Sequence, residues 1–286
     1  MNRTLHLLLF LLMLVGCRTV APSEKHVTSD HPTLTVVTLN LYHDKDDWPR
    51  RRVQILETLK ALQPEVIALQ EVLQHETLPN QAEWLATQLG YDWHFVSVDP
   101  PGKARRYGNA LLTRLPVLAR DQQALQPLQD SRTVGMLRVE LEGKPINVYV
   151  THLHHTGQGG AMRAQQLDDA MAFITSTAGG FPSIVAGDFN AAADAPELTA
   201  LRTGFVDTYG ILHPGTGARE SSTLNPHYFT PARIDHVFHQ RDAFRPMTAR
   251  IILDHPDAQG TWPSDHYGLQ VELQLTAANG SVGNPP

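Results

Sequence analysis

The sequence predicts an α/β protein in which two sheets pack against each other and carry helices on their outer faces. Three observations lead there. Runs rich in Val, Ile, Leu and aromatic residues recur from Leu34 to Leu275 and outnumber the helical patterns between them. Several of these runs, Val66-Ile67-Ala68-Leu69 among them, are apolar on both faces, as expected of strands covered on both sides. Two runs are joined only by Glu142-Gly143-Lys144-Pro145, a hairpin signal. A single doubly wound sheet is the competing architecture, but it requires a helix between nearly every pair of strands.

The elements follow in order. A strand is expected over 34–41, where an apolar run ends in Asn40. Asp46 and Asp47 then cap a helix with Pro49 in its early turn, and Val53, Leu56, Leu59 and Leu62 share one face. Arg50-Arg51-Arg52 reads as the solvated side of that helix. A buried strand over 65–70 leads into Glu71, and a helical pattern covers 79–89. Strands over 93–98 and 109–113 precede the hairpin pair, 135–141 and 146–151. A helix over 161–176 keeps Met162, Gln166, Ala170 and Phe173 at helical spacing. Strands over 183–186, 234–239, 249–253 and 268–275 complete the body.

The chain has 286 residues, a formal net charge of −6, 42% hydrophobic residues and one cysteine. That apolar fraction supports a sizeable core, and the negative balance argues against a protein that grips nucleic acid by bulk charge. One cysteine excludes an internal disulfide, so the fold is stable without staples. The start of the chain, with Arg3 and an apolar run from Leu7 to Val15, reads as a secretory signal rather than a membrane span. It ends in Leu14-Val15-Gly16-Cys17, which resembles a bacterial lipobox; an ordinary signal peptide with an incidental cysteine is the alternative. The expected organisation is a signal over 1–17, a flexible tether over 18–32, one domain over 33–275 and a disordered tail over 276–286. Lipidation of Cys17 would anchor the protein to a membrane, the outer membrane facing the periplasm or cell surface in a Gram-negative source.

Functional residues are sought where buried strands emerge. In "FPSIVAGDFN" an apolar strand ends in Asp188 and Asn190, which point the same way in an extended chain. Alone, this pair reads first as an Asx turn closing the strand. The pattern recurs, however, at Asn40, Glu71 and His152, at Asp235 inside "ARIDHVF", and at Asp265-His266 before the last strand. Together these ends suggest one polar site at a shared rim. Carboxylates without Cys-based ligands suit a hard divalent cation. Walker-type phosphate loops, Gly-x-Ser-x-Gly elbows and His-Glu-x-x-His spacing are all missing from the sequence.

"TLNLY", "LQEV", "YGNALLTR", "THLHH", "GDFN", "RIDHVF" and "SDH" occur in the order that resembles the endonuclease/exonuclease/phosphatase family. That family includes pancreatic-type deoxyribonucleases, abasic-site endonucleases, neutral sphingomyelinases and inositol polyphosphate 5-phosphatases. The resemblance spans nearly the whole body. It implies a four-layer α/β/β/α sandwich of two packed mixed sheets with flanking helices, and Mg²⁺- or Mn²⁺-dependent hydrolysis of a phosphoester. It also implies roles. Glu71 and Asn40 would hold the metal, with Asp265 a candidate to complete the cluster. Asp188 would orient or deprotonate the attacking water, and Asn190 would bond that water or a phosphate oxygen. His266 would act as general base or transition-state partner, with Asp235 fixing its tautomer, and His152 would donate to a non-bridging oxygen. Tyr107 and Asn109 are expected in the same cleft. Arg132 either pairs with phosphate or is a surface arginine.

His154, His155, His236 and His239 surround the motifs and read as supporting or surface groups, although a surplus of imidazoles also suits a softer metal. Lys103, Arg105 and Arg106 either meet an anionic substrate or form a mobile charged loop. The expected activity is a metal-dependent phosphodiesterase, a nuclease first, acting as a monomer. Phospholipid headgroups and small phosphoesters are the alternative substrates, and a non-catalytic binding protein on the same scaffold is the remaining class.

Overall fold

The computed structural model describes residues 31–276. The signal segment with Cys17, most of the tether and residues 277–286 of the tail lie outside them. Among the described residues the order is β1 (Thr33–Asn40), α1 (Trp48–Leu62), β2 (Val66–Gln74), α2 (Gln81–Leu89), β3 (Asp92–Val96), β4 (Arg106–Thr113), β5 (Val117–Ala124), β6 (Thr133–Leu141) and β7 (Lys144–His152). Then come α3 (Gly160–Thr177), β8 (Ser183–Asp188), α4 (Thr199–Gly204), β9 (Phe205–Asp207), α5 (Thr208–Leu212), β10 (Asp235–Gln240), β11 (Phe244–Ile252) and β12 (Gly268–Leu275).

The strands form two six-stranded mixed sheets, ordered β11-β12-β1-β2-β4-β3 and β5-β6-β7-β8-β10-β9. Each sheet contains one parallel pair, β1 with β2 and β7 with β8. Parallel neighbours need a long crossover, and α1 and α3 supply it. Period-two alternation then builds three apolar layers. Val36, Ala68, Val150 and Ala186 fill the gap between the sheets. Val37, Leu39, Ile67 and Leu69 face α1 and α2, and Tyr149, Val185 and Phe238 face α3. This is the expected two-sheet sandwich with helices outside. The hairpin signal is also met: Glu142 and Gly143 link β6 to β7 with φ of 49° and 81°, the positive angles that a tight two-residue turn requires.

The local chemistry of α1 follows expectation at its start and departs from it along its length. Asp47 Oδ1 accepts the Arg50 N–H at 3.2 Å, so the cap is Asp47 with proline in the first turn. The buried face is Trp48, Arg51, Ile55, Leu56 and Leu59, whereas Val53 is 45% exposed. Of the expected stripe, only Leu56 and Leu59 are buried. The Arg triplet is not one solvated face either, because Arg51 is fully buried. Strands β5 and β9 were not foreseen. The first carries the polar Asp121-Gln122-Gln123 and the second has three residues; both are edge strands that join through main-chain pairing.

Buried histidines at the second sheet have a thermodynamic consequence. His239 is buried with its Nδ1 2.9 Å from Thr208 Oγ1, and burial pushes its pKa down to about 4. In the unfolded chain its pKa is about 6.5. As pH falls from about 6.5 toward 4, the unfolded chain therefore takes up a proton that the folded chain refuses, and stability is lost across that window. We expect His239→Gln to narrow the gap in melting temperature between about pH 7 and about pH 5. An unchanged gap would mean that His239 is not held neutral.

Candidate active site

Strand direction explains why the polar residues collect. β1, β7 and β8 end at the rim where Asn40, His152 and Asp188 stand, and β2 carries Glu71 there before running on to Gln74. β4, β10 and β12 run antiparallel to their neighbours and therefore begin at that rim. They bring Tyr107, Asp235 and the Asp265-His266 pair to the same place.

Asp188 lies at the centre. Ala186 faces the gap between the sheets, so Asp188, two residues on, also turns inward and is buried. Its Oδ2 accepts Asn40 Nδ2 of the opposite sheet at 3.1 Å and lies 3.4 Å from His152 Nε2. Its Oδ1 accepts the Asn190 N–H at 2.9 Å, so the Asx turn is present and uses the same carboxylate. Asn190 has φ 51° rather than an extended angle, and its Nδ2 donates to the Leu153 carbonyl at 3.1 Å. It nevertheless borders the cleft.

Asp235 pairs with Asp188 across β8 and β10. Its Oδ2 lies 2.9 Å from His266 Nδ1, while its Oδ1 is buried with no hydrogen-bond partner. One ligand atom from each of Asp188, Asp235 and His266 lies within 4.8 Å of the others. Thr223 and Ser264 support this pair. Thr223 Oγ1 accepts the Asp235 N–H at 3.1 Å, and Ser264 Oγ accepts the His266 N–H at 3.1 Å while lying 2.7 Å from the Asn40 carbonyl.

Glu71 reaches the cleft by a different route. Strict alternation would turn it outward with Ile67 and Leu69. A bulge between Leu69 and Val72 interrupts the ladder, and Glu71 adopts φ 56°. Its carboxylate then lines the cleft beside Tyr107.

Asn40, Glu71, Tyr107, Arg132, His152, Asp188, Asn190, Asp265 and His266 border one cleft of about 480 Å³. Arg132 is thus no loose surface residue; its side chain is 11% exposed and lies 3.4 Å from Asp130. Asp235 stands behind His266. Asn109 does not line the cleft: its Nδ2 is turned to Thr133 Oγ1 at 3.1 Å. Nor do Lys103 and Arg106, which bond to Asp99 instead. His236 is buried against the Ala191 carbonyl and Arg233, and His154 against Asp130, so neither is free to bind a metal there. His155, read from the sequence as a supporting or surface group, borders the cleft, and so does Phe229, which was not singled out. His155 has a sequence signal in "THLHH"; Phe229 lies in a loop with none.

The electrostatics separate two functions. Burial, then the Asp235 carboxylate, pushes Asp188 up to about 7. Burial opposes charge on His266, but Asp235, and after it Asp188 and Asp265, outweigh that and raise its pKa, which favours the imidazolium. Burial, then the Arg132 and His266 charges, keeps His152 well below its usual value and therefore neutral. Burial, with Glu71 nearby, pushes Asp265 up to about 6. Asp188, Asp235 and His266 form a tight cluster, yet His266 Nδ1 is already committed to Asp235. Glu71, Asp265 and the free lone pair of Asn40 Oδ1 form an oxygen-rich wall that fits a hard divalent cation better.

Residues 37–266 match the Endonuclease/Exonuclease/phosphatase family, and the chain belongs to it. Members of that family are metal-dependent phosphoesterases and nucleases. The chain is 26% identical over 281 residues to Nocturnin from Drosophila melanogaster, a match covering 80% of this chain and 42% of that protein. The chain thus spans less than half of that relative's length. It is 25% identical over 260 residues to the uncharacterized protein YbhP of Escherichia coli K12, covering 84% and 96% of the two chains. Among solved structures, humanized D. rerio TDP2 superposes with a TM-score of 0.70 at 20% identity over 86% of this chain and 99% of that one. The human Nocturnin catalytic domain with bound sulfate gives 0.69 at 22% identity, over 86% and 94%. At these identities the structural likeness is one of fold.

Gly187 provides a test of how closely the strands must approach. A Cβ there would lie 2.0 Å from the Thr151 carbonyl oxygen, in the strand that carries His152. We expect Gly187→Ala to cost about 2 kcal/mol or more in denaturant unfolding, because main chain rather than a side chain must move. Unchanged stability would show that β7 and β8 have slack at the rim.

Proposed function

We propose that this chain is a divalent-metal-dependent phosphodiesterase with nucleic acid as its leading substrate class. The observation that carries the reading is the convergence on buried Asp188, with Asn40 of the other sheet on one side and the His266–Asp235 pair on the other. Glu71, Asn40 and Asp265 would hold Mg²⁺ or Mn²⁺, which would supply Lewis-acid stabilisation of the phosphoryl oxygen when bound. Asp188, whose pKa near neutrality suits a base, orients the water that attacks phosphorus and accepts its proton as the ester P–O bond breaks. His266, held as imidazolium by Asp235, stabilises the negative charge that grows in the transition state. His152, Asn190 and Arg132 donate to the non-bridging oxygens, and Tyr107 lines the cleft beside Glu71.

Two features support nucleic acid. Phe229, 46% exposed, borders the cleft and offers a face on which an unstacked base can lie. D. rerio TDP2, which shares the fold, has been solved with a single-stranded DNA product. A second reading, hydrolysis of phospholipid headgroups, is favoured by the lipobox-like Leu14-Val15-Gly16-Cys17, since lipidation there would hold the enzyme at a membrane surface.

The test is plasmid nicking by the chain lacking residues 1–17. We expect nicking that requires Mg²⁺ or Mn²⁺ and stops with EDTA. Asp188→Asn and His266→Ala should each lower the rate by about 10²–10⁴-fold with unchanged circular dichroism. Turnover near wild type in Asp188→Asn would overturn its role. Hydrolysis of an aryl phosphodiester without nicking would move the substrate to phospholipids or small phosphoesters.

A further inference from the structure

Arg51 is the one member of the Arg50-Arg51-Arg52 triplet that is fully buried. A guanidinium carries five N–H groups. Here each meets a main-chain carbonyl. Nε donates to Lys45 at 3.0 Å; Nη1 donates to Leu41 at 2.8 Å and Pro263 at 2.9 Å; Nη2 donates to Tyr42 at 3.2 Å and His43 at 2.7 Å. The rings of Trp48 and Tyr42 lie 5.3 and 5.5 Å from its Cζ. A buried charge needs partners for every donor, and this one has them without using a carboxylate among its hydrogen-bond acceptors.

The carbonyls belong to segments that carry the candidate cation ligands. Leu41 follows Asn40 directly. The turn it opens is held in left-handed conformations at Tyr42, His43 and Asp46, with φ of 57°, 30° and 52°, which non-glycine residues adopt only when their surroundings impose them. Pro263 lies two residues before Asp265. On the far side, the His43 carbonyl also accepts Gln81 Nε2 at 2.8 Å, and Gln81 Oε1 accepts the Leu73 N–H at 2.9 Å, two residues beyond Glu71. Gln81 is fully buried as well. A continuous set of hydrogen bonds therefore runs from the Asp265 segment through Arg51 and the turn after Asn40 to the strand of Glu71.

We infer that Arg51 is a positioning residue for the cation site: it sets the spacing of Asn40 and Asp265 directly and, through the His43 carbonyl and Gln81, that of Glu71. The inference rests on the reading of Asn40, Glu71 and Asp265 as the cation's ligands. It also specifies the side chain. Lysine keeps the charge, but its ammonium has three donors and no planar fork, so it cannot hold five carbonyls at once.

The experiment is Mn²⁺ titration calorimetry on the purified full chain in detergent, comparing wild type with Arg51→Lys, Gln81→Met and Glu71→Gln. Arg51→Lys should weaken Mn²⁺ binding by about tenfold or more, as loss of a partner that orients ligands does. Saturating Mn²⁺ should restore most of the turnover. Gln81→Met cuts the link to Leu73 while leaving Arg51 its carbonyls; it should weaken binding in the same direction and serves if Arg51→Lys does not fold. A folded Arg51→Lys with a lower melting temperature but an unchanged dissociation constant would reduce Arg51 to a stability role and overturn the inference. No Mn²⁺ binding by wild type, or Glu71→Gln binding as tightly as wild type, would instead overturn the ligand reading on which it rests.

Discussion

The hydrogen bond from Asn40 Nδ2 to Asp188 Oδ2 joins residues 148 positions apart and belonging to different sheets. The apolar layer between the sheets holds them together, but burial is non-directional and sets no fine alignment. At the rim, alignment comes from polar contacts of defined length. Asn40 is suited to this task because it works in both directions: its amide nitrogen donates to Asp188 and its oxygen accepts the Tyr42 N–H at 3.0 Å. The carboxylate in the second sheet and the oxygen-rich wall of the first are thereby placed against each other. The Asp235–His266 contact at 2.9 Å ties the two halves of the cleft together at a second point.

The rim also shows how environment distributes one residue type among different tasks. His266 and His152 face the same cleft, and His236 lies just behind it. His266 is bound to a buried carboxylate and favours its cationic form. His152 is equally enclosed but meets Arg132 and His266 charges, which favour the neutral form. His236 is sealed against the Ala191 carbonyl, with its pKa pushed down to about 4 by burial first and Arg233 second. Nothing intrinsic to the imidazole separates the three; the neighbours supplied by other strands do.

Backbone geometry contributes as much as side-chain chemistry. Glu71 and Asn190 both sit at positive φ, and each would point elsewhere from a regular strand. The bulge at Glu71 interrupts a ladder that is otherwise regular between β2 and β4. Such irregularities are tolerated because the surrounding sheet over-determines them, and they occur here where a carboxylate or amide must be re-aimed.

Much of this protein was legible in its sequence. Hydrophobic alternation, double-sided apolar runs and the hairpin at Glu142-Gly143 depend on local periodicity, so the two sheets and the principal helices could be read directly. The polar strand ends could be read for the same reason, since an Asp or His that interrupts an apolar run stands out against it. The tertiary structure decided what periodicity cannot encode. Arg51 and Asn109 have sequence neighbours that suggest a solvated face and a cleft residue; long-range partners, the carbonyls of Leu41 and Pro263 in one case and Thr133 in the other, made them buried structural groups. Edge strands such as β5 escaped notice because main-chain pairing, not apolar content, holds them. Periodicity reports which face of an element is buried, but which distant atoms meet at that face depends on how the sheets are stacked.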